Sequence, residues 1–321
     1  MSTKLRESIR SLHASLAAPA QQYKELDKMV EYLRSEIGPR IGASAIETFG
    51  SCSNGLWTRS SDADMTLIIP RCNTKSKIIT KLKSARDFVR KTAPCPLSMS
   101  IVENARIPVL KLAVEGLSLR EIDVSINNIS GIENSLLVKT WASFDPRFTP
   151  LAFAIKNWAK ARGINDRAKG TLSTYTLLLQ VVFIMRSRKM LPPFSSFVNS
   201  DILSAPYEEL NGVLRPTPFN VSLPPPIVSS NTSIDEGALL RAYFNFFGDE
   251  NLQQGAEILD GHIITVPTST GALVMRCPLT NKDVNVMSAS AWQSIHSEFR
   301  QARDFLRQRD DMSVDLAALS S

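Results

Sequence analysis

The stretch Thr48 to Pro70, TFGSCSNGLWTRSSDADMTLIIP, constrains this chain more than any other. A β-patterned run ends at Gly50-Ser51, Gly55 supplies a turn, and Asp62-x-Asp64 opens a second run. In a strand, residues i and i+2 share a face. Asp62 and Asp64 therefore project together, while Ala63, Met65 and Leu67 point into a core. Two carboxylates so placed suit a pair of Mg²⁺ ions, with waters and substrate phosphates completing each octahedron. A third acid, Asp123, lies in REIDVSIN and shares a face with Glu121 and Ser125, while Ile122, Val124 and Ile126 take the other side. An acid is disfavoured in the middle of a good strand, so Asp123 invites a role as third ligand and proton acceptor. Each piece alone has a plain reading. D-x-D is common in surface loops, and Gly-Ser is ordinary turn material.

The rest of the chain divides by pattern. Residues 4–37 read as helical, and Gly38-Pro39 and Gly42 punctuate. From 45 to 127 come short alternating runs: Ala45–Phe49, Ala63–Ile69, Leu97–Val102, Ile107–Val114 and Leu119–Ile126. A Lys-rich helix at 74–92 interrupts them, and Gly116 joins the last two as a hairpin. From 132 onward helices dominate, at Leu151–Arg162, Thr171–Arg188, 233–247 and 288–309, with strand-like pieces near 256–266 and 272–276. A Pro-rich stretch over 192–228 reads as loop or linker. A length of 321 residues holds two domains. The expectation is an α+β chain, with a mixed-sheet catalytic domain over 38–128 and a mainly helical domain over 129–321. The N-terminal helix, 1–37, is expected to pack on the helical domain.

Composition narrows the chemistry. Four scattered cysteines and three scattered histidines supply neither a zinc site nor a disulfide framework, so a metal here should be a hard ion on carboxylates. A net charge of +6 favours polyanionic partners. No run of eighteen apolar residues exists to span a membrane. The first twenty residues carry Lys4, Arg6 and Arg10 against only Glu7, in the manner of a mitochondrial transit peptide. The other reading is a plain amphipathic helix continuing through Tyr23, Leu26, Met29, Val30 and Leu33, in a cytoplasmic protein.

The combination G-S-x(3)-G-L-x(4)-S-D-x-D-x(2)-L is long and specific. It resembles the DNA polymerase β-like nucleotidyltransferase superfamily. Over residues 40–310 the chain is similar to its noncanonical poly(A) polymerase and terminal uridylyltransferase branch, particularly the minimal RNA uridylyltransferases of trypanosomatids and fission yeast. ENSLL at 133–137, FAIKNWAKARGIND at 153–166, GTLSTYTLLL at 170–179 and WQSIHSEFRQA at 292–302 carry the likeness further. The resemblance implies a palm-like sheet and a helical domain with the active site in the cleft between them. It also implies two Mg²⁺ ions, with Mn²⁺ as a substitute, on Asp62, Asp64 and Asp123.

By the same resemblance the turn of Gly50 and Ser51 cradles a triphosphate, which Lys156 and Lys160 reach from one helix face. Asn134 and Ser135 match a pair that recognises the ribose 2′-hydroxyl and, in uridylyl enzymes, a uracil oxygen. Tyr175 stacks on the base, and Ser173 and Thr174 stand where the family has Ser-Ser. Where relatives carry Glu/Asp-Asp-Pro-Phe, this chain reads RCPLTNKDVNV, leaving Asp283 to accept the uracil N3–H. The lysines are otherwise a solvated surface, Tyr175 a core residue and Asp283 an exposed loop acid. The implied activity is template-independent addition of UMP from UTP to single-stranded RNA 3′ ends by a monomeric unit. The alternatives are an ATP-using poly(A) polymerase and an inactive RNA- or protein-binding scaffold.

Overall fold

The computed structural model describes residues 4–196, 207–210, 213–216, 234–254, 256–259, 262–265, 272–309 and 316–320. The chain forms two compact units, and the dividing lines differ from the expected ones. One unit comprises Leu16–Lys139 with Ser204–Pro218; the other comprises Met1–Ser15, Thr140–Leu203 and Phe219–Ser321.

The first unit is built on a five-stranded sheet. Strands β1 (Ala45–Phe49), β2 (Ala63–Ile68), β3 (Leu97–Val102), β4 (Val109–Val114) and β5 (Glu121–Ile126) lie in the order β1-β2-β5-β4-β3. Only β2 and β5 run parallel. Alternation sets the faces as the pattern requires. Ala63, Met65, Leu67, Ile122, Val124 and Ile126 are all buried in one apolar cluster. Helix α5 (Lys75–Thr92) adds Leu82, Ala85 and Val89 to that cluster. Thr74 caps α5 by accepting the Lys77 N–H, Arg90 and Lys91 complement the dipole of its last turn, and Pro94 stops it.

The N-terminal segment is not one helix. Helix α1 (Lys4–Leu16) ends before Pro19, which cannot continue the hydrogen-bond ladder and instead sits at the N-cap of α2 (Ala20–Tyr32). A π-helical turn, Leu33–Ile37, leads into α3 (Gly38–Ile41), which Gly42 terminates in the left-handed region. The break divides the segment between units. Leu26, Met29, Val30, Leu33 and Ile37 belong to the sheet's apolar cluster, so residues 16–37 pack with the sheet and only α1 joins the helical unit.

In the helical unit, α7 (Phe148–Ala161) ends just before Gly163, whose φ is +68°. Helix α8 (Thr174–Arg186) is apolar on nearly every side and buried from Thr176 to Met185. Trp158 packs edge-on against Phe244 and tilted against Phe299, at centroid distances of 4.7 and 5.0 Å. The buried Tyr243 hydroxyl donates to Gln180 Oε1 (2.5 Å). Glu236, wholly buried at the start of helix Glu236–Phe247, receives Arg10 at 2.8 Å. Arg6 Nε stands 3.2 Å from its other oxygen, an ion-pair distance without hydrogen-bond alignment. Strands also occur where loop was expected: Tyr207–Leu210 and Val213–Pro216 form an antiparallel pair within the Pro-rich stretch. Most of the remainder of 192–228 lies outside the described residues.

Candidate active site

Registers across the sheet bring the acids together. Asp64 on β2 pairs with Asp123 on β5, Asp123 pairs with Lys111 on β4, and Phe49 at the end of β1 pairs with Asp64. Residues in register share a face, so Asp64, Asp123 and Lys111 form one row, and Glu121 lies two residues along β5. The loop delivering Asp62 is fastened by fully buried Trp57, whose Nε1–H donates to the carbonyls of Ser61 (3.0 Å) and Asp62 (3.1 Å).

Oxygen atoms of Asp62, Glu121 and Asp123 all lie within 4.8 Å of one another. Lys111 Nζ donates to Glu121 Oε1 and reaches Asp123 Oδ1 at 3.1 Å and Oδ2 at 3.4 Å. Burial pushes the Asp123 carboxyl above the usual carboxylate range; Lys111 opposes the rise, while Glu121 and Asp62 add to it. Burial alone would lower the Lys111 ammonium, but its bonds to Glu121 and Asp123 outweigh this and raise it. A donor set of carboxylate oxygens, with no imidazole or thiolate among them, fits a hard divalent cation. Asp64 stands slightly apart from that trio and turns toward Gly50.

Gly50 is required twice over. Its φ of +70° with ψ of −151° is accessible mainly to glycine, and a Cβ there would overlap Asp64 Oδ2. Its N–H donates to Ser135 Oγ (2.6 Å), and the Ser135 hydroxyl donates onward to the Gly131 carbonyl (2.6 Å), both within helix α6 (Ile129–Phe144). Ser135 is buried, so its hydroxyl serves the turn. Ser51 opens the short helix α4 (Ser51–Asn54), and Asn134 precedes Ser135 on α6. Beneath the turn, Cys52 donates to the Phe49 carbonyl (3.0 Å), and burial pushes its thiol up to about 12.

The remaining expected residues belong to the helical unit. Lys156 and Lys160 lie one turn apart on α7, with Lys156 Nζ 5.9 Å from the Phe153 ring centroid. Ser173 is the N-cap of α8, accepting the Thr176 N–H (3.0 Å). Thr174 donates to Asn165 Oδ1 (3.3 Å), and the Tyr175 hydroxyl lies 3.3 Å from Cys277 Sγ. Asp283 Oδ1 accepts two backbone N–H groups, from Met275 (3.0 Å) and Asn285 (2.8 Å), and so ties its own loop. Lys111, by contrast, enters the site without having been singled out, because only the strand pairing reveals it, and Glu121, placed on the face of Asp123 by alternation, had been given no role.

Residues 5–143 match the family described as poly(A) RNA polymerase, mitochondrial-like, central palm domain. The poly(A) RNA polymerase GLD2 of Bos taurus is 30% identical over 255 residues, 77% of this chain and 51% of the bovine protein. GLD2-B of Xenopus laevis is 33% identical over 193 residues, 57% of this chain and 36% of its own length. The chain belongs to the noncanonical poly(A) polymerase family of the polymerase β-like nucleotidyltransferase superfamily. It spans about half or less of the length of these two relatives. Among solved structures, the polymerase fold is shared with mtPAP in complex with UTP, at a TM-score of 0.81 and 18% identity, covering 98% of this chain and 72% of that one. The Cid1 poly(U) polymerase gives 0.75 at 22% identity, covering 98% of both chains. In this family's terms the five-stranded sheet is the palm, and it carries Asp62, Asp64, Glu121 and Asp123 on one face.

Proposed function

We propose that this chain transfers nucleotidyl groups from ribonucleoside triphosphates to the 3′-hydroxyl of RNA without a template. The pairing of Asp64 with Asp123 carries the reading, because it gathers Asp62 and Glu121 to the face where the Gly50 turn abuts Asp64. Two Mg²⁺ ions held by Asp62, Asp64 and Asp123, with Mn²⁺ as a substitute, would supply positive charge to the hydroxyl and the triphosphate oxygens. Asp123 accepts the proton of the attacking hydroxyl at a carboxylate oxygen, the new phosphodiester forms at the α-phosphorus, and pyrophosphate leaves. The turn at Gly50 and Ser51 holds the triphosphate, and Ser135 holds the turn. Asn134 contacts the ribose, Lys156 and Lys160 meet phosphate, and Tyr175 stacks on the base, a contact worth roughly 1–3 kcal/mol. Ser173 and Thr174 set the start of the helix that carries Tyr175.

We infer that the added nucleotide is adenylate. Two observations favour it over the uridylate that the sequence first suggests. Relatives at 30–33% identity are poly(A) RNA polymerases. The acid meant to read uracil N3–H, Asp283, spends Oδ1 on two backbone amides. Purified protein incubated with single-stranded RNA and each ribonucleoside triphosphate in turn tests both levels. Preferential ATP incorporation is expected. Preferential UTP incorporation would restore the uridylate reading, and no incorporation with Mg²⁺ or Mn²⁺ would favour an inactive scaffold.

A further inference from the structure

Among the described residues, the acidic face adds Glu121 to the expected trio and brings the ammonium of Lys111 to it. Glu121 and Asp123 stand two apart on β5, facing Asp62. Lys111, in register with Asp123 on the neighbouring strand, bonds Asp123 and also reaches diagonally past it to bond Glu121. The residue in register with Glu121 is Ala113, which offers no polar group. Lys111 is therefore placed to draw Glu121 sideways along the sheet while keeping hold of Asp123. Its side chain is one-third exposed, so the ammonium is partly withdrawn from water and strongly committed to these two partners.

We propose that Lys111 is a positioning residue that decides which carboxylates serve the divalent-ion site. It steadies Asp123 beside Asp64 and Asp62, and it occupies Glu121 as a counter-ion so that Glu121 stays off the metal. This rests on the reading of Asp62, Asp64 and Asp123 as metal ligands. With the ammonium removed, Glu121 becomes a fourth available carboxylate, and a site richer in anionic oxygen binds a divalent ion more tightly and releases it less readily.

The test measures Mn²⁺ binding to the nucleotide-free full chain by electron paramagnetic resonance, alongside RNA tailing. Lys111→Met keeps the length of the stem without its charge and should bind Mn²⁺ at least about fivefold more tightly, with slower tailing. Adding Glu121→Gln to that variant should return Mn²⁺ affinity to the wild-type value. Lys111→Arg, which keeps the cation, should leave affinity near wild type. Unchanged or weaker Mn²⁺ binding by Lys111→Met, or a double variant identical to Lys111→Met, overturns the inference even if wild-type protein tails RNA in Mg²⁺. A wild-type chain that binds no Mn²⁺ and tails no RNA overturns both this inference and the proposed function.

Discussion

Gly50 meets a conformational demand and a steric one at the same atom. Gly50→Ala combines left-handed strain, of about 1–2 kcal/mol, with overlap against Asp64. Tailing by this variant should fall at least about tenfold, since misplacing a reacting group by an ångström is that damaging, while the protein still folds by circular dichroism. Ser135→Ala strands the Gly50 N–H beneath the turn and should cost about 1–3 kcal/mol of stability in denaturant unfolding. Cys52, whose thiol is pushed up to about 12 by burial, remains protonated at neutral pH. Iodoacetamide should label Cys95, which is only half-buried, well before Cys52, as peptide mass spectrometry of the native protein would show.

Elements were legible in sequence where the period was clear. β1, β2, β3 and α5 appear within a residue or so of the pattern, because apolar alternation and Pro or Gly punctuation are local signals. Asp62, Asp64 and Asp123 were readable for the same reason, since strand alternation fixes their face. The face of Glu121 was readable in the same way, but its meeting with Lys111 was not. Their meeting depends on β4 pairing with β5 in one register, which no local window encodes. Two other features carry a local signal in the sequence. Pro19 splits the N-terminal helix, and Asn211-Gly212 between Tyr207–Leu210 and Val213–Pro216 is a strong hairpin dipeptide inside a stretch read as loop. At this scale α1 is anchored by charge. Replacing Arg6 and Arg10 together by Ala strips buried Glu236 of both arginines of α1 and leaves it only the more distant influence of Arg147, and thermal unfolding should register a loss of about 3 kcal/mol.

For the whole molecule, His13 and His296 give stability a pH dependence. His13 and His296 both belong to the helical unit, and burial lowers each below the ordinary imidazole value of 6.5; for His296 the bond to the Asp249 backbone opposes the fall, while nearby Arg300 and Arg303 add to it. Between the folded pKa and 6.5 the unfolded chain binds more protons than the folded one, so stability rises with pH through that window. Thermal unfolding at pH 5.5 should therefore occur at a lower temperature than at pH 7.5. His296→Gln, which removes the titrating ring that meets the Asp249 carbonyl, should narrow the gap while lowering both temperatures. A gap that His296→Gln leaves untouched would assign it to other groups.

The ion pair between Arg10 and Glu236 joins residues 226 positions apart. A ribosome adding about 5–20 residues per second needs on the order of 10–45 s to cover that separation. Throughout that interval α1 has been made, but the acid that receives its arginines has not. Leu5 and Ile9, fully buried in the finished protein, have no complete partner surface meanwhile. The contiguous span Leu16–Lys139 of the palm unit is synthesised within the same interval. The palm thus has a head start of many seconds, and α1, though made before the palm, is among the last elements to find its place.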